Sequence, residues 1–348
     1  MAAQTLDDLP TPALILDRAI LRRNLKRMSE RLRNAGVMLR PHLKTAKSIE
    51  VGRMAVEGHD GRITVSTLAE ARYFADGGFT DILYGVGVVS SKLPAVAELR
   101  RRGVNLRVVT DNAAVAKAIA DAAKNGDTFS VFIEIDSGGG RAGLPWPELP
   151  GLLEIARILH GTPGVELAGV MTHAGHSYHE STPDGIAAVA EQERQAIVGA
   201  AEKLRAAGIP CPIVSGGSTP TAIHSRDFTG ITEMRPGVYV FNDLDQEFIG
   251  SCAPSDLALS VLASVSCRPS CRRSPTCAAA ASTCASSLTI SPWRARSPRP
   301  RRAATPSPSS SRSTAVPAVP AFPFLPCPAC STSPASCTRP PASSWPAS

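Results

Sequence analysis

Short apolar runs rich in Val, Ile and Leu alternate with segments of helical period along the chain as far as about Ser266. That alternation predicts parallel strands joined by crossover helices. The strand candidates are Ala13–Asp17, Met38–Lys44, Ile63–Thr67, Asp81–Val86, Leu106–Asp111, Phe129–Asp136, Glu166–His173, Pro212–Ser215 and Gly230–Arg235. Between them, Asp17 is placed to cap a helix with Ile20, Leu21, Leu25, Met28 and Leu32 on one face, closed by Gly36. Asn112 similarly caps Ala113–Lys124, closed by Gly126. The helical segment Gly185–Ala207 and the short Pro220–Ser225 join the last strands. Nine strands are one more than an eight-fold barrel holds. The simplest assignment starts the barrel at Met38–Lys44 and leaves Ala13–Asp17 outside, paired with a second domain. The expected fold class is α/β, a TIM-type (β/α)8 barrel, for which about 250 residues is a usual size.

From Cys267 onward the pattern stops. Residues 267–348 hold 10 of the 37 basic residues, all Arg, none of the 30 acidic ones, 16 of the 30 prolines and seven of the nine cysteines. They contain no Lys, Gly, Asn, Gln, His, Tyr or Met. Recurrent Pro breaks helices and removes ladder donors from strands. Such a composition buries too little apolar surface to offset its ordering entropy. A disordered low-complexity tail is expected, distinct from an enzyme body over 1–266. The tail also explains the formal charge of +7, because the body carries 27 basic against 30 acidic residues, a net −3. The basic balance is therefore no argument for a nucleic-acid partner. Cys211 and Cys252 are the body's only cysteines, a usage that fits a reducing cytosol. No basic residue precedes Arg18, which argues against a signal peptide. No long apolar run free of Pro and charge predicts a membrane span. A cytoplasmic location is expected.

In such a barrel the chemistry sits where strands end. In order, those ends give Lys44, Thr67, Asp111, Asp136 with Arg141, His173 and the Ser215 loop. Two-residue alternation puts Arg40, His42 and Lys44 on one face. A rim Lys that is partly desolvated and near other cations is poised as a nucleophilic amine, although Lys at a strand end is also an ordinary solvated residue. The run Ser215-Gly216-Gly217-Ser218-Thr219-Pro220-Thr221 offers backbone N–H groups and hydroxyls to an anion, and barrels commonly hold phosphate after strands seven and eight. Read alone, it could equally be a Ser/Gly turn. After strand eight, Arg235-Pro236-Gly237-Val238-Tyr239 brings a Gly amide and a Tyr hydroxyl to the same side. A phosphate pocket with a rim Lys implies a phosphorylated aldehyde, pyridoxal phosphate. His173, His176 and His179 could form a metal triad, but Gly175 breaks the face and no carboxylate adjoins them in sequence, so no metal residues are assigned. The glycines of Asp136-Ser-Gly-Gly-Gly-Arg141-Ala-Gly143 suit close approach of a ligand. Cys327 and Cys330 are too few for a zinc site.

Five ordered motifs carry a resemblance: Arg40-Pro-His-Leu-Lys-Thr45, Asp136 to Gly143, Thr172-His-Ala-Gly-His-Ser-Tyr178, Ser215-Gly-Gly-Ser-Thr-Pro220 and Arg235-Pro-Gly-Val-Tyr-Val-Phe-Asn-Asp243. Over roughly residues 5–265 the chain resembles the D-threonine aldolase and D-serine dehydratase family, within the alanine racemase-like, fold type III pyridoxal phosphate enzymes. The resemblance implies that Lys44 forms a Schiff base with the cofactor and that His42 lies beside it in catalysis. It further implies that Ser215, Gly216, Gly217, Ser218 and Tyr239 hold the phosphate, and that Arg141, His173 and Tyr178 surround the ring. It divides the chain into an N-terminal strand segment (1–22), a cofactor-binding barrel (23–250), the start of a β-domain (251–266) and the aberrant tail (267–348). The family's β-domain contributes a His and a Cys or Asp to a divalent metal, Zn or Mn. Nothing after Ser266 matches that domain, so the metal's ligands and the homodimer implied by the family are both compromised, and activity is expected to be impaired. A shifted reading frame of a GC-rich gene accounts for the tail; a genuine basic tail for nucleic acid or acidic partners is the alternative. The expected activity is a lyase acting on β-hydroxy-D-amino acids, by Cα–Cβ cleavage or by β-elimination. A racemase and a non-catalytic pyridoxal phosphate-binding barrel are the competing readings.

Overall fold

The computed structural model describes Leu6 and residues 9–262. The composition break, the frameshift reading and the Cys327/Cys330 pair lie outside these residues. Strands β1 (Ala13–Leu16), β2 (Met38–Leu39), β3 (Ile63–Val65), β4 (Asp81–Gly87), β5 (Asn105–Thr110), β6 (Phe129–Asp136), β7 (Leu144–Pro145), β8 (Val165–Met171), β9 (Ile213–Gly216), β10 (Glu233–Met234) and β11 (Leu259–Leu262) follow in chain order. Helices α1 (Arg18–Asn34), α2 (Ile49–Ala55), α3 (Leu68–Asp76), α4 (Leu93–Arg101), α5 (Ala113–Lys124), α6 (Leu152–His160), α7 (Pro183–Ala206), α8 (Thr219–His224) and α9 (Leu244–Phe248) alternate with most of them.

Eight parallel strands run in the order β2-β10-β9-β8-β6-β5-β4-β3. A single parallel bridge, His42 to Thr64, joins β2 to β3 and closes the ring. Its bonds are Leu43 N–H to the Thr64 carbonyl at 2.9 Å and Thr64 N–H to the Pro41 carbonyl at 2.8 Å. These are the eight strands that the apolar pattern assigns to a (β/α)8 barrel. The caps also match, with Asp17 accepting from Ala19 and Ile20 N–H and Asn112 from Ala114 and Val115 N–H. One expectation is corrected: Met38–Lys44 is not a continuous strand. The regular strand is Met38–Leu39; beyond it Arg40 and His42 N–H still donate to the Met234 and Pro236 carbonyls at 2.9 Å, and Lys44 lies in the turn that follows. β7, a two-residue strand pairing with β6, carries no apolar alternation and went unpredicted. The 22/23 boundary falls inside α1, a single continuous helix.

β1 stands outside the ring, antiparallel to β11, with Leu14 opposite Val261. Both of these side chains are exposed. The main core lies between sheet and helices and includes Leu21, Leu32, Ile63, Ile82, Leu106, Val131, Ile155 and Leu204. A smaller apolar layer of Leu83, Val109, Phe132, Ala168 and Met171 fills the ring on the other face of the same strands. Alternation puts polar residues on that inner face too. At one level Arg40 Nε meets Glu233 at 2.8 Å, Arg40 Nη1 meets Asp81 at 2.7 Å, and Arg107 Nη1 meets Asp81 at 2.7 Å. Arg40 is fully buried and Glu233 is 1% exposed, so this ion network is structural interior.

Candidate active site

The C-terminal ends of the strands open onto a cavity of about 410 Å³. Of the residues expected from sequence, His42, Lys44, Arg141, His173 and Gly217 line it. Lys44 and Arg141 make no hydrogen bond or ion pair among the described residues, so both cations are available to a ligand. Burial lowers the Lys44 pKa, the nearby Arg141 charge lowers it further, and Glu70 opposes them. A larger fraction of Lys44 is therefore the neutral, nucleophilic amine than for a solvated lysine. Below it, His42 Nε2 lies 3.0 Å from Ser66 Oγ. Burial, then Lys44, Arg235 and His173, push the His42 pKa well below its ordinary value. His173 is pushed down to about 4, by burial first and then by Arg235 and Lys44. Both imidazoles are thus neutral at physiological pH.

The loops after β9 and β10 form the opposite wall. Gly217 has φ +103°, and a Cβ there would come within 3.0 Å of Arg235 N. At Gly237 a Cβ would lie 2.8 Å from the His42 carbonyl oxygen. Only glycine lets these backbones approach so closely. The Gly237 and Tyr239 N–H groups both point at Thr219 Oγ1, at 3.2 and 3.1 Å, and Thr219 N–H donates to Tyr178 Oη at 3.4 Å. Three amides thus converge on two hydroxyls, a kind of donor set suited to a phosphate, while the residues of these loops that line the cavity themselves are Gly217 and Arg235. Burial pushes the Tyr178 pKa up to about 12, so its hydroxyl stays protonated.

Several expected ligands stand elsewhere than the sequence suggests. Alternation turns Ser215 into the ring, where its hydroxyl is taken by Glu233 at 2.6 Å and by Arg235. Gly216 packs under Ile197, where an added Cβ would lie 2.9 Å from Cδ1. Ser218 is the N-cap of α8 and bonds Ser177 Oγ at 2.9 Å. The Tyr239 hydroxyl is not at the mouth: it lines a second cavity of about 300 Å³ with Asn24 and Asn242. What Tyr239 offers the loop is its backbone amide.

The cavity also presents residues that sequence reading left out of the site. Arg235 is 4% exposed, bonds Ser215 and the Thr172 carbonyl, and lines the floor. Glu134 lines the wall without a hydrogen-bond partner among the described residues, and burial raises its pKa while Arg235 and Arg141 oppose. The signal for Glu134 was present, since it is two residues before Asp136 on the same strand face. Asp136 itself holds the Gly138, Gly139 and Gly140 amides at 2.9, 2.8 and 2.9 Å, which shapes the loop leading to Arg141. Both ring nitrogens of His176 are buried without a partner among the described residues, beside the same cavity. Among the described residues no three His, Cys, Asp or Glu side chains are grouped to hold a metal ion, the 173–179 histidines included. No helix of the described residues is long and apolar enough to cross a membrane.

Comparison with known proteins gives the family and the fold. Residues 16–245 match the family model of the alanine racemase N-terminal domain. The chain is 50% identical over 262 residues to D-threo-3-hydroxyaspartate dehydratase of Delftia sp. (strain HT23), covering 75% of this chain and 69% of that protein. It is 33% identical over 277 residues to D-serine dehydratase of Dictyostelium discoideum, covering 75% and 70%. The solved structure of the Delftia enzyme superposes with a TM-score of 0.72 over 74% of this chain and 68% of that one, at 49% identity. D-threonine aldolase from Filomicrobium marinum gives a TM-score of 0.68 at 28% identity, over 75% and 72%. The chain therefore spans about two thirds of the length of the relatives it matches. One structure of a variant of the Delftia dehydratase is described as the metal-free form.

Proposed function

The chain belongs to the alanine racemase N-terminal domain family, and from that membership we propose that it is a pyridoxal phosphate-dependent lyase acting on β-hydroxy-D-amino acids. The observation that carries this reading is a lysine of lowered pKa facing a glycine-built amide loop across one cavity. In this reading Lys44 holds the cofactor's aldehyde carbon, and the Thr219, Gly237 and Tyr239 amides hold its phosphate. Arg235 and His173 flank the ring, and Arg141 lies beside Lys44. The cofactor supplies an electron sink for the negative charge left when a bond at the substrate Cα breaks. The residues of the chain do the rest. Arg141, without a partner among the described residues, binds the substrate carboxylate. His42 uses Nε2 on Ser66 and so keeps Nδ1 to exchange a proton in the cavity. The described residues offer no metal site, so no step is assigned to a metal.

Within this class the greater likeness to D-threo-3-hydroxyaspartate dehydratase than to the aldolase supports β-elimination. With Lys44 and Arg235 given to the cofactor, Arg141 is the cation of the cavity lining left to a substrate carboxylate. The test is absorbance at the Schiff-base band with added pyridoxal phosphate, then borohydride reduction and peptide mapping. Label at Lys44, lost in Lys44→Ala, is expected; label at Lys47 or Lys92 would overturn the assignment. Incubation with D-threo-3-hydroxyaspartate then separates outcomes, since elimination releases ammonia and oxaloacetate whereas cleavage gives glycine and glyoxylate. Labelled Lys44 with neither product pair would favour a cofactor-binding barrel without turnover.

A further inference from the structure

Helix α7 passes behind the mouth, and most of its acidic side chains are surface groups; Glu191, for example, pairs with Arg194 and Gln195. Glu193 is different. It is 1% exposed, and a single oxygen, Oε1, accepts two backbone N–H groups: Ala174 at 3.1 Å and Gly217 at 3.0 Å. Ala174 follows His173 in the loop after β8, while Gly217 belongs to the loop after β9. His173 and Gly217 both line the mouth cavity, so one carboxylate oxygen sets the separation of two of its walls. Neighbouring residues of the helix brace the end of β9 and the loop after β6. Ile197 packs on Gly216, and Gln192 lies over Gly138 with no room for a Cβ between them. Ala174 is fully buried, so without Glu193 its amide would lose its partner with no access to bulk water. Burial raises the Glu193 pKa, and the two amides and Thr221 oppose it, as befits an acceptor held in place by its donors.

We propose that Glu193 is a positioning residue, a clamp that fixes the ring-facing loop after β8 against the amide loop after β9 and so pre-forms the cofactor site. The role rests on the reading of this mouth as a pyridoxal phosphate site. What the geometry requires of residue 193 is an acceptor of this length, which Glu193→Gln keeps, Glu193→Met removes at similar volume, and Glu193→Asp withdraws by one methylene. The experiment measures two things on the full chain: amide hydrogen exchange without cofactor, and pyridoxal phosphate affinity by fluorescence titration. Glu193→Gln is expected to stay within about threefold of the parent in affinity. Glu193→Met should bind at least ~10-fold more weakly, the effect of losing two hydrogen bonds, with exchange at 174 and 217 rising together. If Glu193→Met does not fold, Glu193→Asp carries the comparison and should show the same paired rise to a smaller degree. Parent-like affinity and protection in Glu193→Met, a rise confined to one loop, or equal weakening in Glu193→Gln would each overturn the clamp. If the parent chain binds no pyridoxal phosphate, the functional reading fails, while the exchange arm still decides whether Glu193 couples the loops.

Discussion

The barrel interior holds two polar layers that obey opposite rules. On the inner face away from the mouth, Arg40, Asp81, Arg107 and Glu233 are matched charge to charge within 2.8 Å. At the mouth, Lys44, Arg141, Glu134 and His176 sit around one cavity without partners among the described residues. Strand alternation supplies Asp81, Arg107, Glu233 and Glu134, whereas Lys44, Arg141 and His176 come from the loops at the strand ends, and residue type alone does not distinguish the two layers. Pairing does. Buried charges that meet each other specify the packing of the ring, and charges left unmet mark where a ligand completes the set.

The sharpest break of this contrast is Arg40→Met. It leaves Glu233 and Asp81 short of a buried partner, and the expected cost is about 3–5 kcal/mol of folding stability, measured by urea unfolding. Lys44→Ala at the mouth should leave the unfolding midpoint unchanged or raise it. Equal losses from the two substitutions would erase the distinction.

A pH series tests the mouth next. His173 is held near 4 in the folded chain, against about 6.5 when unfolded. Between those values the unfolded chain binds the additional proton. Stability is therefore intact above about pH 6.5 and falls as pH drops toward 4, by at most about 3 kcal/mol from this residue. His42 shifts in the same direction and adds to the slope. His173→Gln should flatten the fall of Tm with acid; an unchanged slope would show that other groups carry it.

Arg141→Met should have a smaller effect, and only on chemistry. Removing that charge lets the Lys44 pKa rise, so the pH curve for covalent capture of pyridoxal phosphate moves upward. Folding stability should change by no more than about 0.5 kcal/mol. The least response is expected from metal. Residues 267–348 contain no His, Asp or Glu, so added Mn²⁺ or Zn²⁺ should leave turnover unchanged. Stimulation would place the ligands within 1–266, with His173, His176 and His179 the first to replace.

Much of this frame was legible because it is periodic. The eight barrel strands and the Asp17 and Asn112 caps follow from alternation and helix period, and Lys44, Arg141 and His173 were found because they follow strands at the mouth, although Lys44 and Arg141 lie in the loops beyond. What escaped was decided by facing and burial. Ser215 and Tyr239 have suitable chemistry but turn away from the mouth, one into the ring and one into a separate cavity. Glu193 stands in the sequence among Glu191, Gln192 and Arg194, and nothing local separates a buried acceptor from a solvated charge run. Arg235 was seen only as the start of a loop motif, although its place two residues beyond Glu233 puts it on the inner face.

The pairing of β1 with β11 has a consequence for how such a barrel can be used. Residues 13 and 262 are hydrogen-bonded neighbours, so the chain enters and leaves the ring at one doorway. Among the described residues, the strand that leads into the ring and the strand that follows it thus lie side by side in one two-stranded sheet. The ring is in this sense a closed circuit, with its entry and its exit held together by one short ladder.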